Sequence, residues 1–191
     1  MSDATAAHDP SAVATPANAV TIGRILVSPV LFVLILRENP SWAAFTLGFV
    51  LAVTDVLDGW LARRDGPTRS GAFLDPLADK VVVLGSLYSF AAIGRFSWIP
   101  VVLITIREMG ISVYRSYWGR RSLAIPARQA AKWKTLIQGA ALLLAALPLI
   151  SEGGYWIADT FLWVAVALTL ITGALYILDG SRALSTSGLR D

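Results

Sequence analysis

The chain has 191 residues, of which 55% are hydrophobic and only 15% are charged. Soluble domains carry about 25% charged residues, so this composition indicates a protein that folds in a membrane. The chain contains no cysteine, and its one histidine, His8, lies in a polar N-terminal stretch. Disulfide frameworks and thiolate metal sites are therefore excluded, and neither histidine-based catalysis nor a zinc site of the H-E-x-x-H kind is expected.

Three parts follow one another along the chain. Residues 1–17 are rich in Ala, Ser, Thr and Pro and predict a disordered tail, which lacks the basic start of a signal peptide. Residues 18–180 predict a single transmembrane domain, and residues 181–191 predict a polar C-terminal tail.

Six apolar stretches approach the length of about 20 residues that a helix needs to cross a bilayer. Short stretches rich in glycine, proline or charged residues separate them, as expected of turns and loops. The sequence therefore predicts an all-α integral membrane protein with six transmembrane helices. Their predicted bounds are residues 21–37, 42–62, 74–94, 97–118, 131–150 and 156–178.

Lysine and arginine residues concentrate in two connections, between helices 2 and 3 and between helices 4 and 5, and at the C-terminal end. Such residues favour the cytoplasmic side, so the N- and C-termini and both basic connections are expected there. Trp42, Trp98 and Trp156 fall near the opposite face, as in an aromatic belt. We therefore expect a multi-pass protein of the cell (inner) membrane whose site faces the cytoplasm.

Four aspartates lie in or beside the second and third predicted helices. Asp55 and Asp58 are three residues apart and Asp75 and Asp79 are four apart, so each pair shares one helix face. The two helices are joined by a short loop and are expected to be antiparallel neighbours. The four carboxylates can therefore meet at one depth, just inside the cytoplasmic edge.

Carboxylates grouped in this way repel one another unless they are protonated or neutralised by cations. Oxygen ligands without cysteine or a usable histidine suit hard ions such as Mg²⁺ or Mn²⁺. Two divalent cations would balance the four charges, and such metal pairs stabilise the attacking and leaving oxygens of phosphoryl displacement. Gly59 and Gly71 leave room for a ligand close to the backbone, and Arg63 is suited to phosphate.

The residues that carry this pattern read DVLDGWLAR at 55–63 and GAFLDPLAD at 71–79. They resemble the signature of the CDP-alcohol phosphatidyltransferase family, D-x-x-D-G-x-x-A-R followed by G-x-x-x-D-x-x-x-D. All eight signature positions are filled, and the seven residues between Arg63 and Gly71 are one fewer than in the usual form. The resemblance implies transfer of a phosphatidyl group from CDP-diacylglycerol to an alcohol with release of CMP, and it suggests a homodimer.

The same resemblance implies roles for single residues. Asp55, Asp58 and Asp75 match the positions that bind the metal pair. Asp79 matches the proposed general base and also stands among the metal-binding carboxylates. The positions that would bind the CDP-lipid are Gly59, Ala62, Arg63 and Gly71.

Basic residues of helices 4 and 5 predict where the acceptor alcohol binds. An arginine or lysine within a membrane segment is a functional hypothesis, and a cluster of them suits an anionic acceptor. The predicted acceptor-phosphate residues are Arg107, Arg115, Arg128, Lys132 and Lys134.

The stretch LITIREMGISVYRSYWGRRSLAIPARQAAKWKTLIQ at 103–138 resembles the bacterial phosphatidylglycerophosphate synthases of this family, with an R-E pair in helix 4 and a K-x-K-T run in helix 5. NAVTIGRI at 18–25 resembles their N-x-x-T-x-x-R opening. The resemblance implies glycerol 3-phosphate as acceptor, with inositol phosphate, or phosphatidylglycerol in cardiolipin synthesis, as alternatives. CDP-diacylglycerol, the acceptor and membrane lipid are the expected partners, and nucleic acid is not.

Two alternatives from other classes are a small cation-coupled transporter, with the aspartates as its cation site, and a non-catalytic structural membrane protein. A transporter would move substrate across the bilayer without releasing CMP. Paired inverted halves, which many transporters contain, are not evident in the sequence.

Overall fold

The computed structural model describes residues 15–38, 40–65, 69–119, 129–150 and 153–186. Regular structure within these ranges is entirely helical, which confirms the predicted all-α class. Each predicted helix overlaps one observed long helix. The elements are α1 (Pro16–Glu38), α2 (Trp42–Asp65), α3 (Arg69–Ala92), α4 (Trp98–Gly119), α5 (Gln129–Ala146), a short 3₁₀ helix (Pro148–Ile150) and α6 (Tyr155–Thr186).

Local capping chemistry moves the start of α1 away from the bound predicted from hydropathy. Helix α1 begins at Pro16 rather than at 21, because Thr15 caps it: the Asn18 N–H donates to Thr15 Oγ1 at 3.2 Å, and the Ala19 N–H donates to the Thr15 carbonyl at 2.9 Å. Proline suits the first helical position, where no N–H is needed. At the other end of the chain, α6 continues to Thr186, beyond the predicted end at 178.

The turn between α3 and α4 is built around Gly94, whose φ of 73° favours glycine. The N–H groups of Gly94 and Arg95 close the helix end on the carbonyls of Ala91 and Phe90, at 3.0 and 2.9 Å. After the turn, Arg95 Cζ lies 3.3 Å from the centroid of the Tyr155 ring, a cation–π contact.

The described residues form two compact units. The first contains α1, α2 and α3 up to Ser89, together with Ala146–Pro148, and within it α1 packs against α2. The second contains Phe90–Ala145 and the described residues from Leu149 onward, and within it α4 packs against α6.

The buried stripe of α1 is polar in its first half and apolar in its second half. Its polar members Asn18, Thr21 and Arg24 are 1%, 0% and 4% exposed. Further along the same stripe, Leu31 and Ile35 are 4% and 1% exposed. We call Asn18, Thr21 and Arg24 the α1 polar face. Its buried polar atoms require partners inside the protein, because burial without hydrogen bonds is costly.

Ser28, a fourth buried polar residue of α1, replaces a backbone hydrogen bond that the helix lacks. Pro29 lies inside the helix and has no N–H to donate to the carbonyl of Ile25. The hydroxyl of Ser28 donates to that carbonyl at 2.9 Å. Ser28 therefore serves the backbone of its own helix.

The surfaces of α1 and α6 are apolar although they face outward. Within the described residues, Asn18–Arg37 and Tyr155–Leu178 are long and apolar enough to cross a membrane. Only 28% and 33% of the residues in their most apolar segments are buried, whereas the core helix of a soluble protein is mostly buried. Leu26 on α1 and Trp156 on α6, for example, are 71% and 66% exposed. Buried polar residues beneath an apolar outer surface, as on these two helices, are the arrangement expected of a membrane protein.

We expect Gly85→Ala to destabilise the first unit. A Cβ at position 85 would lie 2.1 Å from Cζ of Phe32 on α1, so the ring or the helix must move. Overpacking of this kind costs about 1–3 kcal/mol. The matched control is Gly23→Ala, since its Cβ meets no described atom within 4 Å. Thermal unfolding in detergent should show a lower Tm for Gly85→Ala only, and equal Tm values for both variants would contradict the close approach of α1 and α3.

Candidate active site

The first aspartate of the signature is paired with α1. The buried guanidinium of Arg24 donates from Nη1 to Asp55 Oδ1. The Arg24 side chain is 4% exposed and the Asp55 side chain is 43% exposed, so one partner is inside the protein and the other reaches its surface. A guanidinium buried to this degree requires a countercharge, and Asp55 provides it.

The third aspartate of the signature is also held by α1. The buried hydroxyl of Thr21 donates to Asp75 Oδ1 at 2.9 Å. Thr21 and Arg24 are neighbours on one helix face, where side chains three residues apart lie about 5–6 Å from each other at Cβ. The two hydrogen bonds therefore bring a carboxylate of α2 and a carboxylate of α3 to adjacent turns of α1.

A third contact extends the same row toward the start of α3. Asn18 Nδ2 donates to Ser70 Oγ at 2.7 Å. Ser70 directly precedes Gly71, which is buried, in the first turn of α3. The α1 polar face thus contacts both helices that carry the aspartates.

The remaining signature residues are described to different extents. Asp79 and Gly59 are partly buried, and Asp79 lies one turn after Asp75 on α3. Some predicted site residues belong to helices but have side chains outside the described part of the structure, namely Asp58, Ala62, Arg63, Arg115 and Lys132. Arg128 lies outside the described residues altogether.

The donor set of the first unit fits a hard divalent cation. Among the described side chains, no three carboxylate, histidine or cysteine groups converge on one point, and this comparison does not include Asp58. Each hydrogen bond from α1 occupies only the Oδ1 atom of its aspartate. Carboxylate oxygens on two helices that α1 contacts, with one oxygen of each already held by a donor of α1, are the kind of ligands that Mg²⁺ and Mn²⁺ accept.

The second unit contains a buried charged network across three helices. Lys134 Nζ on α5 donates to Glu108 Oε1 on α4, and Arg107 Nη1 donates to the same oxygen at 3.0 Å. The Lys134 and Glu108 side chains are 9% and 16% exposed. Two cations therefore share one carboxylate, which leaves the network with a net positive charge.

Arg107 also binds the backbone and a side chain of α6. Its Nε donates to the Thr169 carbonyl and its Nη2 to Thr172 Oγ1, both at 2.9 Å. Gly173 allows this approach, since a Cβ there would lie 3.2 Å from Arg107 Nε. These contacts and the bond to Glu108 use three of the five guanidinium N–H groups. Arg107 thus fastens α4 to α6 and has at most two N–H groups left for a ligand.

Sequence reasoning did not assign the partners of the predicted site residues. The spacing of Asn18, Thr21 and Arg24 was visible as a motif, and three-residue steps in an apolar helix indicate one polar face. No sequence pattern predicted that Arg107 binds α6, because its partners there lie 62 and 65 residues further along the chain.

The chain is similar to known proteins over most of its length. A family model described as CDP-alcohol phosphatidyltransferase matches residues 14–171. A probable phosphatidylglycerophosphate synthase of Mycobacterium tuberculosis (strain H37Rv) is 35% identical over 185 residues, covering 92% of this chain and 85% of the relative.

Two further relatives carry the name CDP-diacylglycerol--glycerol-3-phosphate 3-phosphatidyltransferase. The protein of Bacillus subtilis (strain 168) is 32% identical over 192 residues, covering 89% of this chain and 97% of the relative. The protein of Cereibacter sphaeroides is 30% identical over 200 residues, covering 82% of this chain and 90% of the relative. The similarity thus extends over nearly the whole length of each relative.

Proposed function

Because the chain belongs to the CDP-alcohol phosphatidyltransferase family, we propose that it transfers the phosphatidyl group of CDP-diacylglycerol to sn-glycerol 3-phosphate. The products are phosphatidylglycerophosphate and CMP. The observation that carries the choice of acceptor is the similarity, over most of both chains, to relatives named for this reaction. Membership of a transferase family favours this reaction over cation-coupled transport.

The carboxylates of α2 and α3 hold the metal ions in this proposal. Asp55, Asp58, Asp75 and Asp79 would bind two divalent cations, Mg²⁺ or Mn²⁺. When bound, such ions neutralise the pyrophosphate and the departing CMP. Support comes from the all-oxygen donor set and from the two aspartates that α1 holds on adjacent turns.

The CDP-lipid is bound by the residues around the first half of the signature. Gly59 and Gly71, which lack side chains, leave the backbone open to the pyrophosphate. The small side chain of Ala62 leaves room beside them, and Arg63 donates to a phosphate oxygen.

Asp79 acts as the general base. The hydroxyl oxygen of the acceptor attacks the phosphorus that carries diacylglycerol, the bond from that phosphorus to CMP breaks, and the hydroxyl proton passes to the Asp79 carboxylate. A carboxylate within hydrogen-bond reach of the hydroxyl is suited to this transfer.

The cations of α4 and α5 bind the phosphate of the acceptor. We assign this role to Arg107, Arg115, Arg128, Lys132 and Lys134. The net positive charge of the network around Glu108 supports the assignment for Lys134 and Arg107. Lys134 is a compact charge suited to phosphate, whereas Arg107 contributes mainly through its fixed charge.

We also propose how the chain is oriented in the membrane. All six helices cross the cell (inner) membrane, the termini and the active site face the cytoplasm, and the catalytic domain comprises residues 18–180 between two polar tails. Trp42, Trp98 and Trp156 stand at the starts of α2, α4 and α6 and are 55%, 52% and 66% exposed, as anchors in an opposite interface would be. We also propose a homodimer, on the family resemblance alone.

Product analysis with several acceptors tests the proposed reaction. Purified protein in detergent is given CDP-diacylglycerol, Mg²⁺ and one acceptor at a time: glycerol 3-phosphate, inositol phosphate or phosphatidylglycerol. We expect CMP and phosphatidylglycerophosphate with glycerol 3-phosphate. Release of CMP with another acceptor alone would keep the family chemistry and overturn the acceptor. Release with none of them, under Mg²⁺ or Mn²⁺, would overturn the whole proposal.

We expect Lys134→Met to raise the KM for glycerol 3-phosphate at least about tenfold, the loss typical of one charged hydrogen bond. The KM for CDP-diacylglycerol should stay within about twofold, because no CDP-lipid contact is assigned to Lys134. Arg37→Gln, at the exposed end of α1, is the control. Steady-state kinetics with each substrate varied in turn measures both constants. Equal increases in the two KM values would contradict a separate acceptor site.

A further inference from the structure

The α1 polar face has no part in the reaction just proposed, yet its three residues are almost fully buried. Each donates a hydrogen bond to α2 or α3. Two of the three acceptors are aspartates of the signature, and the third is adjacent to a signature glycine. A helix that only packed against its neighbours would not require three buried polar residues at this point.

We propose that Thr21 and Arg24 are positioning residues, which hold Asp75 and Asp55 in the orientation that binds the metal ions. The inference rests on the proposed metal site and adds to it a set of residues on α1. Neither residue binds a metal or a substrate itself. Asn18 supports them by anchoring the start of α3 through Ser70.

The physical basis is the freedom of a carboxylate group. The terminal torsion of an aspartate is broad, so an exposed carboxylate samples many orientations. A hydrogen bond to Oδ1 fixes the carboxylate plane and leaves Oδ2 in a defined direction. Loss of a donor that orients a metal-binding group in this way typically lowers the metal affinity 10–100-fold.

Arg24 adds a fixed positive charge to this orienting role. Asp55 and Asp75 repel each other when they are brought to adjacent turns of α1, and the guanidinium reduces that repulsion. The planar fork of arginine also fixes the direction of its hydrogen bond more firmly than lysine does. Arg24→Lys therefore keeps the charge and loses the orientation.

The direct test is binding of Mn²⁺, followed by electron paramagnetic resonance, to full-length protein in detergent with and without CDP-diacylglycerol. Thr21→Val keeps the side-chain volume and removes the hydroxyl that donates to Asp75, whereas Thr21→Ser keeps this hydroxyl. The matched control is Thr54→Val on α2, because the Thr54 hydroxyl donates to the Leu51 carbonyl of its own helix at 2.9 Å. Thr21→Ala is measured as well, in case the valine variant does not fold.

We expect Thr21→Val, Thr21→Ala and Arg24→Lys to weaken Mn²⁺ binding at least about tenfold, as loss of an orienting donor does. Thr21→Ser and Thr54→Val should stay within about threefold of the wild type, since their site donors are intact. Wild-type affinity in Thr21→Val, Thr21→Ala and Arg24→Lys would overturn the positioning role while the metal site stands. A wild-type protein that binds no Mn²⁺ would overturn the metal site and the positioning role together.

Discussion

Asp75→Asn should lower the rate of CMP release by about 10³-fold, the loss expected when charge stabilisation at a transferring phosphoryl group is removed. Asparagine has nearly the same shape as aspartate and keeps an oxygen that accepts the hydrogen bond from Thr21. The helix contact is therefore preserved while the charge of the metal ligand is lost. Steady-state rates and Mn²⁺ binding should fall together.

Asp159→Asn on α6 provides the control for this prediction. Asp159 lies in the second unit, near the start of its helix, and no site role is assigned to it. The control should keep the wild-type rate and the wild-type Mn²⁺ affinity. If Asp75→Asn kept a rate near that of the wild type, Asp75 would not be a metal ligand.

Asp79→Asn should lower turnover by about 10²- to 10⁴-fold, the range typical of a lost general base. Binding of Mn²⁺ and of CDP-diacylglycerol should change much less than turnover, because Asp55, Asp58 and Asp75 remain. Comparing kcat with directly measured binding of each ligand separates these effects. The two variants should differ in Mn²⁺ binding. In Asp75→Asn the Mn²⁺ affinity should fall together with the rate, whereas in Asp79→Asn the fall in turnover should be much larger than the fall in Mn²⁺ affinity.

Two outcomes would contradict the assignment of Asp79. Turnover near that of the wild type would exclude its role as the base. Loss of Mn²⁺ binding as large as the loss of turnover would make Asp79 primarily a metal ligand, and another group would then have to accept the proton.

The sequence predicted the class and the approximate position of all six helices, because apolar runs broken by turn residues are a strong signal. It did not predict their ends. The start of α1 depends on Thr15 and Pro16, whose capping contacts lie in a polar stretch that hydropathy assigns to a tail. The extension of α6 to Thr186 likewise continues beyond the apolar run.

The aspartates were the predictable part of the candidate site, because their spacing alone places each pair on one helix face. Their partners were not predictable. Which donor of α1 meets which aspartate depends on how the helices are rotated against one another, and one sequence does not contain that information. For the same reason the sequence did not reveal that three N–H groups of Arg107 bind Glu108 and α6. The role of Arg107 in binding the acceptor stays a prediction.

In the proposed mechanism, metal ions bind the carboxylates of α2 and α3 that α1 holds in position. The most direct measurement is an anomalous difference map of crystals grown with Mn²⁺ and CDP-diacylglycerol. We predict two peaks beside the carboxylates of Asp55 and Asp75, with Arg24 and Thr21 still donating to these aspartates. Peaks elsewhere, or no peak beside these two carboxylates, would contradict metal binding by Asp55 and Asp75.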